Sequence, residues 1–355
     1  MSSMTTNEHT LFTDLLEERY ERTEPHLHTL NTRQLDDGRS VYRMFRVEQS
    51  GELPMVLFAA HDDLVNNRTF RWQSNQCVSD WLQQRAQLLL FLAEQAYPAP
   101  RVLPSLEGAL MVRYQQWNLL LTTFIEGRTS LVTPENMSLL ASTLGQLHHL
   151  SLSSFSPSAS AWWNSSYSLP HALERLQSVQ GDVPPSSRGL YEQCRETLQT
   201  IQHLWLTLPQ VLIHGDCWAP NGVRLPDSQE VVLIDWEGAG RGPAILDLGS
   251  FLLHCQDDEH GALAETMNES RISAVVQGYS QWRIPSSPEI DLLLDAIRFR
   301  SAWIGAWMFS RLSQEEWTPR LEQGLGHIQQ GYALAEPTAR LARTLFAHKQ
   351  ALSNI

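Results

Sequence analysis

The 355-residue chain is almost without lysine: Lys349 is the only one, and arginine supplies the other 25 of its 26 basic residues. Any step that chemistry ordinarily assigns to a lysine must here fall to another group. Positive charge as a whole is scarce, with 26 basic against 39 acidic residues and a net charge of -13. That balance makes nucleic acid a poor partner, although a local basic pocket remains compatible with it. Cysteine is sparse as well: Cys77, Cys194, Cys217 and Cys255 lie far apart, without the paired spacing of a zinc site, so four free thiols are expected. No apolar run is long enough to span a bilayer, and the start MSSMTTNEHTLFTDLLEERYERT lacks the basic opening and apolar run of a signal peptide. A soluble cytoplasmic protein with no membrane partner is the expectation.

What is present is a globular composition, 42% hydrophobic and 18% charged, over a length that favours two packed lobes. The pattern predicts a short helix over residues 11–22, then an antiparallel meander over 30–60 with turns at Asp36-Asp37-Gly38 and Ser50-Gly51. A helix is predicted over 80–96, ended by Pro98 and Pro100, followed by a strand-loop-strand over 109–127. Thr133 as cap with Pro134 at the first helical position predicts a further helix over 134–150. Residues 151–160 and 181–188 read as loops, 190–208 and 288–312 as helical.

The informative run is VLIHGDCWAPNGVRLPDSQEVVLIDWEGAGRGPAILDLG, residues 211–249. An apolar strand delivers His214-Gly215-Asp216 to a loop, Asn221 lies five residues beyond Asp216, and a hairpin delivers Asp235. Phosphoryl transfer needs such groups, because it is mostly positioning and charge neutralisation. Hard oxygen ligands hold magnesium against nucleotide phosphates, and a separate carboxylate orients the attacking hydroxyl. Asn221 and Asp235 suit the metal, Asp216 the hydroxyl. Turn-forming and capping explain each acid separately but not their joint spacing.

His-Gly-Asp-x-x-x-x-Asn, followed by an apolar strand ending Ile-Asp-Trp-Glu, resembles the catalytic and metal-binding loops of the aminoglycoside phosphotransferase and choline kinase group. The resemblance implies an α+β kinase-like fold, with a small antiparallel-sheet lobe over residues 1–127 and a mainly helical lobe over 128–355. It further implies a Mg2+-dependent kinase that uses ATP or GTP and phosphorylates a small-molecule hydroxyl. Asp216 would be the catalytic base, Asn221 and Asp235 the magnesium ligands, Glu237 a less certain neighbour of the metal, and His214 and Asp247 braces of the loop. Backbone groups near Thr123, Phe124 and Ile125 would receive the purine edge. Coverage runs over about residues 30–310.

The chain departs from the family where nucleotide phosphates are normally bound. The third strand of the family presents a lysine or arginine paired with a helix glutamate. Here that strand position falls on or beside Phe58, the helix has Arg85 where the glutamate belongs, and no glutamate occurs between Leu53 and Ala93. Either Arg85 replaces the strand cation from the helix side, or nucleotide binding has decayed, Arg85 is a solvated residue and the protein is a pseudokinase that binds or scaffolds. The phosphate-covering loop has one glycine, Gly38, with Ser40 offering a hydroxyl or amide. Retention of Asp216, Asn221 and Asp235 favours the active reading. The acceptor is open, with a peptide Ser/Thr as a further alternative. A cationic acceptor would use acids such as Glu237 and Asp257-Asp258-Glu259, and Trp218, Trp303, Trp307 and the Trp162-Trp163 pair are candidate aromatic walls.

Overall fold

The structure, a computed structural model, describes residues 6–35, 39–66, 77–152, 169–205, 207–226, 228–258, 261–311 and 319–353. The chain divides into two compact units, Met1–Glu126 and Gly127–Ile355.

In the first unit, helix α1 (Thr6–Tyr20) precedes strands β1 (His26–Gln34), β2 (Ser40–Glu48) and β3 (Met55–His61). Helix α2 (Val78–Glu94) and strands β4 (Val112–Tyr114) and β5 (Trp117–Thr123) follow. The five strands form one antiparallel sheet in the order β1-β2-β3-β5-β4. β3 lies at its centre, and its sequence MVLFAAH has none of the apolar-polar alternation of a strand with one wet face. The reason is that both faces are covered. Met55, Leu57 and Ala59 pack with Phe12, Leu15 and Leu16 of α1, whereas Val56, Phe58 and Ala60 pack with Leu82 and Ala86 of α2.

Helix α2 ends two residues before the expected position. Ala96 takes a left-handed backbone (φ 52), and the amides of Ala96 and Tyr97 turn back to the carbonyls of Ala93 and Leu92 at 3.1 and 2.9 Å. This hydrogen-bonded reversal stops the helix ahead of the prolines.

The second unit opens with β6 (Arg128–Thr129), α3 (Pro134–His149), α4 (Leu169–Ser178) and α5 (Arg188–Leu204). Strands β7 (Gln210–Ile213), β8 (Gly222–Arg224), β9 (Val231–Leu233) and β10 (Gly240–Pro243) come next. Helices α6 (Ala244–His254), α7 (Glu269–Tyr279), α8 (Ser287–Asp291), α9 (Leu293–Phe309) and α10 (Pro319–Ser353) complete it. The strands form two small sheets, β6-β8-β9 and β10-β7. Thr133 caps α3 as anticipated, its side chain accepting the amide of Asn136. The helix expected over 288–312 is two: Leu292, at φ -88 and ψ 0, breaks it, after a capping box in which Ser286 and Glu289 satisfy each other's backbone amides. The 35-residue α10 lies beyond the span that motifs covered.

Helices α3 and α7 approach closely because Gly278 has no side chain; a Cβ there would collide with the carbonyl oxygen of Ser138. Alanine in a helix interior ordinarily stabilises relative to glycine by about 1 kcal/mol. At Gly278 the sign should reverse: Gly278→Ala should destabilise the protein by about 1–3 kcal/mol in urea unfolding, because a backbone atom cannot move aside as a side-chain end can.

Candidate active site

Strand β7 ends at Ile213 and delivers His214, Gly215 and Asp216 to a tight turn. Gly215 is left-handed (φ 78), and a Cβ on it would collide with the carbonyl oxygen of Gly238. Conformation and space both demand glycine there. Asp247, fully buried in the first turn of α6, holds the turn from behind. Its Oδ2 accepts the His214 amide at 2.7 Å and its Oδ1 the Gly215 amide at 3.0 Å, while Nε2 of His148 donates to Oδ2 at 3.2 Å. Burial alone would raise the Asp247 pKa; the hydrogen bonds from His148 and the His214 backbone outweigh it and hold the carboxyl below its ordinary range.

The support extends outward through buried groups. Tyr279 donates its hydroxyl to Nδ1 of His148 at 2.8 Å, Arg283 donates to that hydroxyl at 3.3 Å, and Glu289 accepts from Arg283 at 2.8 Å. His214 donates from Nε2 to the Ile234 carbonyl at 3.0 Å and accepts the Asp216 amide on Nδ1 at 3.3 Å. Both histidines are pushed down by burial and fold neutral. His214 therefore ties the Asp216 turn to the strand end that carries Asp235.

Asn221 joins the two loops a second time. Its side-chain amide donates to the Asp216 carbonyl at 2.9 Å and to Asp216 Oδ2 at 3.0 Å, and its backbone carbonyl accepts the Ile234 amide at 2.9 Å. Since the amide nitrogen is spent on Asp216, the carboxamide oxygen is the atom available to a hard cation. Asp235 is exposed and left-handed (φ 61, ψ 64) at the start of the turn Trp236–Gly238, with Glu237 half-buried two residues on. A non-glycine residue in that conformation costs about 1–3 kcal/mol, a strain that concentrates at functional sites. Among the described residues no cluster of three or more His, Cys, Asp or Glu could hold a metal by itself. One carboxylate and one carboxamide fit magnesium, which takes few protein ligands and completes its shell with phosphate oxygens and water.

Sequence reasoning missed the partner of Asp216. Arg300, in α9, donates from Nη2 to Asp216 Oδ1 at 2.6 Å and from Nε to Nε2 of His254 at 3.2 Å. His254 in turn donates from Nδ1 to Asp257 at 2.8 Å. The available signal was the two arginines, Arg298 and Arg300, inside the apolar run AIRFRSAWIGAW, where a charged group needs polar partners.

The expected acceptor wall is corrected at two points. Asp257 is 3% exposed and committed to His254, so it is not a surface acid. Trp303 is also buried, with its ring centroid 6.2 Å from that of Phe299, and belongs to the helical core. Trp218 does stand beside the Asp216 loop, with its ring 5.6 Å from His254. Cys217, next to Asp216, is fully buried and its thiol is pushed well above the ordinary value by burial. Trp162, Trp163, Glu259 and the turn at residues 36–38 lie outside the described residues.

In the N-terminal unit Arg85 is 7% exposed, its guanidinium 4.0 Å from the ring centroid of Phe58. It is not a solvated helix residue. Ser40 is half-buried and opens β2, opposite Gln34. Of the three residues expected at the purine edge, the Thr123 and Phe124 amides already donate to Arg101 and Pro54 at 2.8 and 3.0 Å. Ile125 is the one whose amide makes no such backbone bond among the described residues.

Residues 79–284 match the model of the phosphotransferase enzyme family, more than half of the chain, and the protein belongs to that family. Solved structures with this fold include the amicoumacin kinase hAmiN, in complex with AMP-PNP, Ca2+ and Ami (TM-score 0.69, 12% identity, 93% of this chain and 94% of that one). Spectinomycin phosphotransferase APH(9)-Ia, in complex with ADP and spectinomycin, matches with TM-score 0.62 and 13% identity over 95% and 98%. An ethanolamine kinase of Plasmodium vivax matches with TM-score 0.60 and 11% identity over 94% and 91%. No curated protein matches the chain in sequence. The small antiparallel sheet and the mainly helical second part are those of these kinases. Among the described residues no helix is long and apolar enough to cross a membrane.

Two measurements test this geometry. Cys77 is exposed, while burial raises the Cys194 and Cys255 thiols to about 12 and Cys217 well above its ordinary value. A disulfide reagent should modify one thiol in the native protein and all four in denaturant. The second concerns acid. His148 and His214 have depressed folded pKa values, so the unfolded chain binds more protons below the ordinary histidine value. Stability should be complete above about pH 6.5 and fall below it, by up to about 1.4 kcal/mol per pH unit for each histidine. Asp247, depressed as well, extends the loss below the carboxylate range. The slope of urea stability against pH between 6.5 and 5 should be shallower in His148→Gln.

Proposed function

We propose that the protein transfers the terminal phosphoryl group of ATP or GTP to a hydroxyl of a small molecule, with Asp216 as the base. The observation that carries this reading is the joined loop: Asp216 takes the Asn221 amide on Oδ2, and His214 and Asn221 both tie its turn to the Asp235 strand end. That arrangement sets a base and two oxygen donors on one rigid support, which is what a positioning-dominated reaction requires. Asn221 and Asp235 would hold the magnesium, which when bound neutralises charge on the phosphates.

The acceptor oxygen forms a bond to the terminal phosphorus as the bond from phosphorus to the bridging oxygen breaks. The nucleoside diphosphate leaves with that oxygen, and the hydroxyl proton passes to the Asp216 carboxylate. Arg85 serves as the phosphate cation of the N-terminal unit in place of a strand lysine. Its burial against Phe58 supports this reading over a decayed nucleotide site, because stacking on the aromatic face holds the guanidinium in place.

Calorimetric titration with ATP and GTP, with and without magnesium, tests the reading. Nucleotide binding should depend on magnesium, weaken in Asp235→Asn, and weaken about 10- to 100-fold in Arg85→Ala, the loss expected when hydrogen bonds to a charged group are removed. Asp216→Asn should retain binding while lowering turnover at least about 100-fold. Absence of nucleotide binding in every condition would overturn this reading and favour the binding or scaffolding alternative.

A further inference from the structure

The network around the base bears on what the acceptor carries. A cationic acceptor requires accessible acids. Among the described residues, the two carboxylates bonded into the Arg300–His254 network, Asp216 and Asp257, are both engaged. Asp216 accepts Arg300 on one oxygen and Asn221 on the other. Asp257 accepts His254; its second oxygen, Oδ1, has no hydrogen-bond partner among the described residues but is sealed, the residue being 3% exposed. An ammonium group cannot reach it.

The cationic group of this network is Arg300. Arg300 is partly exposed, 17% by side chain, beside an Asp216 that is 31% exposed. Its orientation is built rather than incidental. Nε is held by His254, His254 is fixed as the Nδ1–H tautomer by Asp257, and the segment that carries Asp257 is clamped by Arg271, which donates to the carbonyls of Cys255 and Asp257 at 3.3 and 2.7 Å. The indole of Trp218 leans on the same His254, and its N–H is buried with no acceptor among the described residues. A partly exposed guanidinium offers positive charge and a fork of N–H donors, the complement of an oxyanion, and the indole beside it offers an aromatic face.

We propose that Arg300, with Trp218 and the His254–Asp257 support, forms an acceptor subsite for an anionic group, and that the acceptor is a hydroxy acid or a phosphate monoester rather than an amino alcohol. This rests on the phosphotransferase reading above. The carboxylate or phosphate of the acceptor takes the guanidinium in place of Asp216 Oδ1. The exchange leaves Asp216 to receive the hydroxyl, so one arginine both recognises the acceptor and unmasks the base. Arg300 is thereby specificity-determining, and His254 and Asp257 are positioning residues.

Matched pairs test this: glycerate and glycerol 3-phosphate each against glycerol, and serine against ethanolamine. Binding is read by calorimetry in the presence of magnesium and a non-hydrolysable nucleotide, and turnover by release of nucleoside diphosphate. The expected result is a preference of at least about tenfold in kcat/KM or affinity for an anionic member of a pair. That preference should collapse in Arg300→Met and be partly retained in Arg300→Lys, which keeps the charge but not the fork. Nucleotide affinity and circular dichroism of each variant show that it is folded. The carboxylate and phosphate arms separate the two sources of the anion.

Preference for glycerol or ethanolamine, or a preference for the anion that survives Arg300→Met, would overturn the proposal. So would a wild-type protein that binds the magnesium nucleotide but binds and phosphorylates none of the anionic compounds. A wild-type protein that binds no nucleotide fails earlier, at the phosphotransferase reading, and removes this inference with it.

Discussion

The second unit is organised around one carboxylate out of contact with water. Asp247 accepts two consecutive backbone amides, from His214 and Gly215, and an imidazole N–H from His148. An ionised group so deeply buried is tolerable only because each of those donors is aimed at it; removing one leaves a desolvated charge short of partners. The demand propagates. His148 must remain neutral and present Nδ1 to Tyr279, and Tyr279 must stay protonated, which its burial enforces by raising its pKa. Arg283 and Glu289 close the chain at the capping box of α8. One turn of backbone is thus registered against α3, α6, α7 and α8 by a single connected set of hydrogen bonds.

The first unit solves a different problem. Its central strand has apolar residues on both faces and no lysine or arginine, and Phe58 packs on the side of α2. Arg85 reaches that ring from α2, its charge lying over the aromatic face. Arginine suits this arrangement because its flat, weakly hydrated head tolerates stacking and burial, whereas an ammonium keeps its hydration more tightly.

Much of this was legible in the sequence, for identifiable reasons. The antiparallel meander follows from apolar runs punctuated by turn residues, and α3 from the Thr133-Pro134 start signal. His214, Asp216, Asn221, Asp235 and Asp247 are legible because their spacing along the chain is itself the constraint. What could not be read depends on distance in sequence. Arg300 meets Asp216 across 84 residues and His148 meets Asp247 across 99. No local pattern encodes either pairing. The break at Leu292 escaped for the opposite reason, since the apolar periodicity continues through it while the Ser286–Glu289 box sets a separate start. Asp257 misled because three consecutive acids, Asp257-Asp258-Glu259, resemble a wet loop, and only folding shows that the first of them turns inward to His254.

The near absence of lysine acquires a meaning beyond geometry. An amine that binds phosphate is also a nucleophile, open to acylation by activated carboxylates and phosphates and to condensation with aldehydes. Guanidinium groups at Arg85 and Arg300 are poor nucleophiles, and the chain has one lysine side chain, Lys349, in the helix Pro319–Ser353. Reactive metabolites that silence lysine-dependent enzymes would find no amine on either of these two cations.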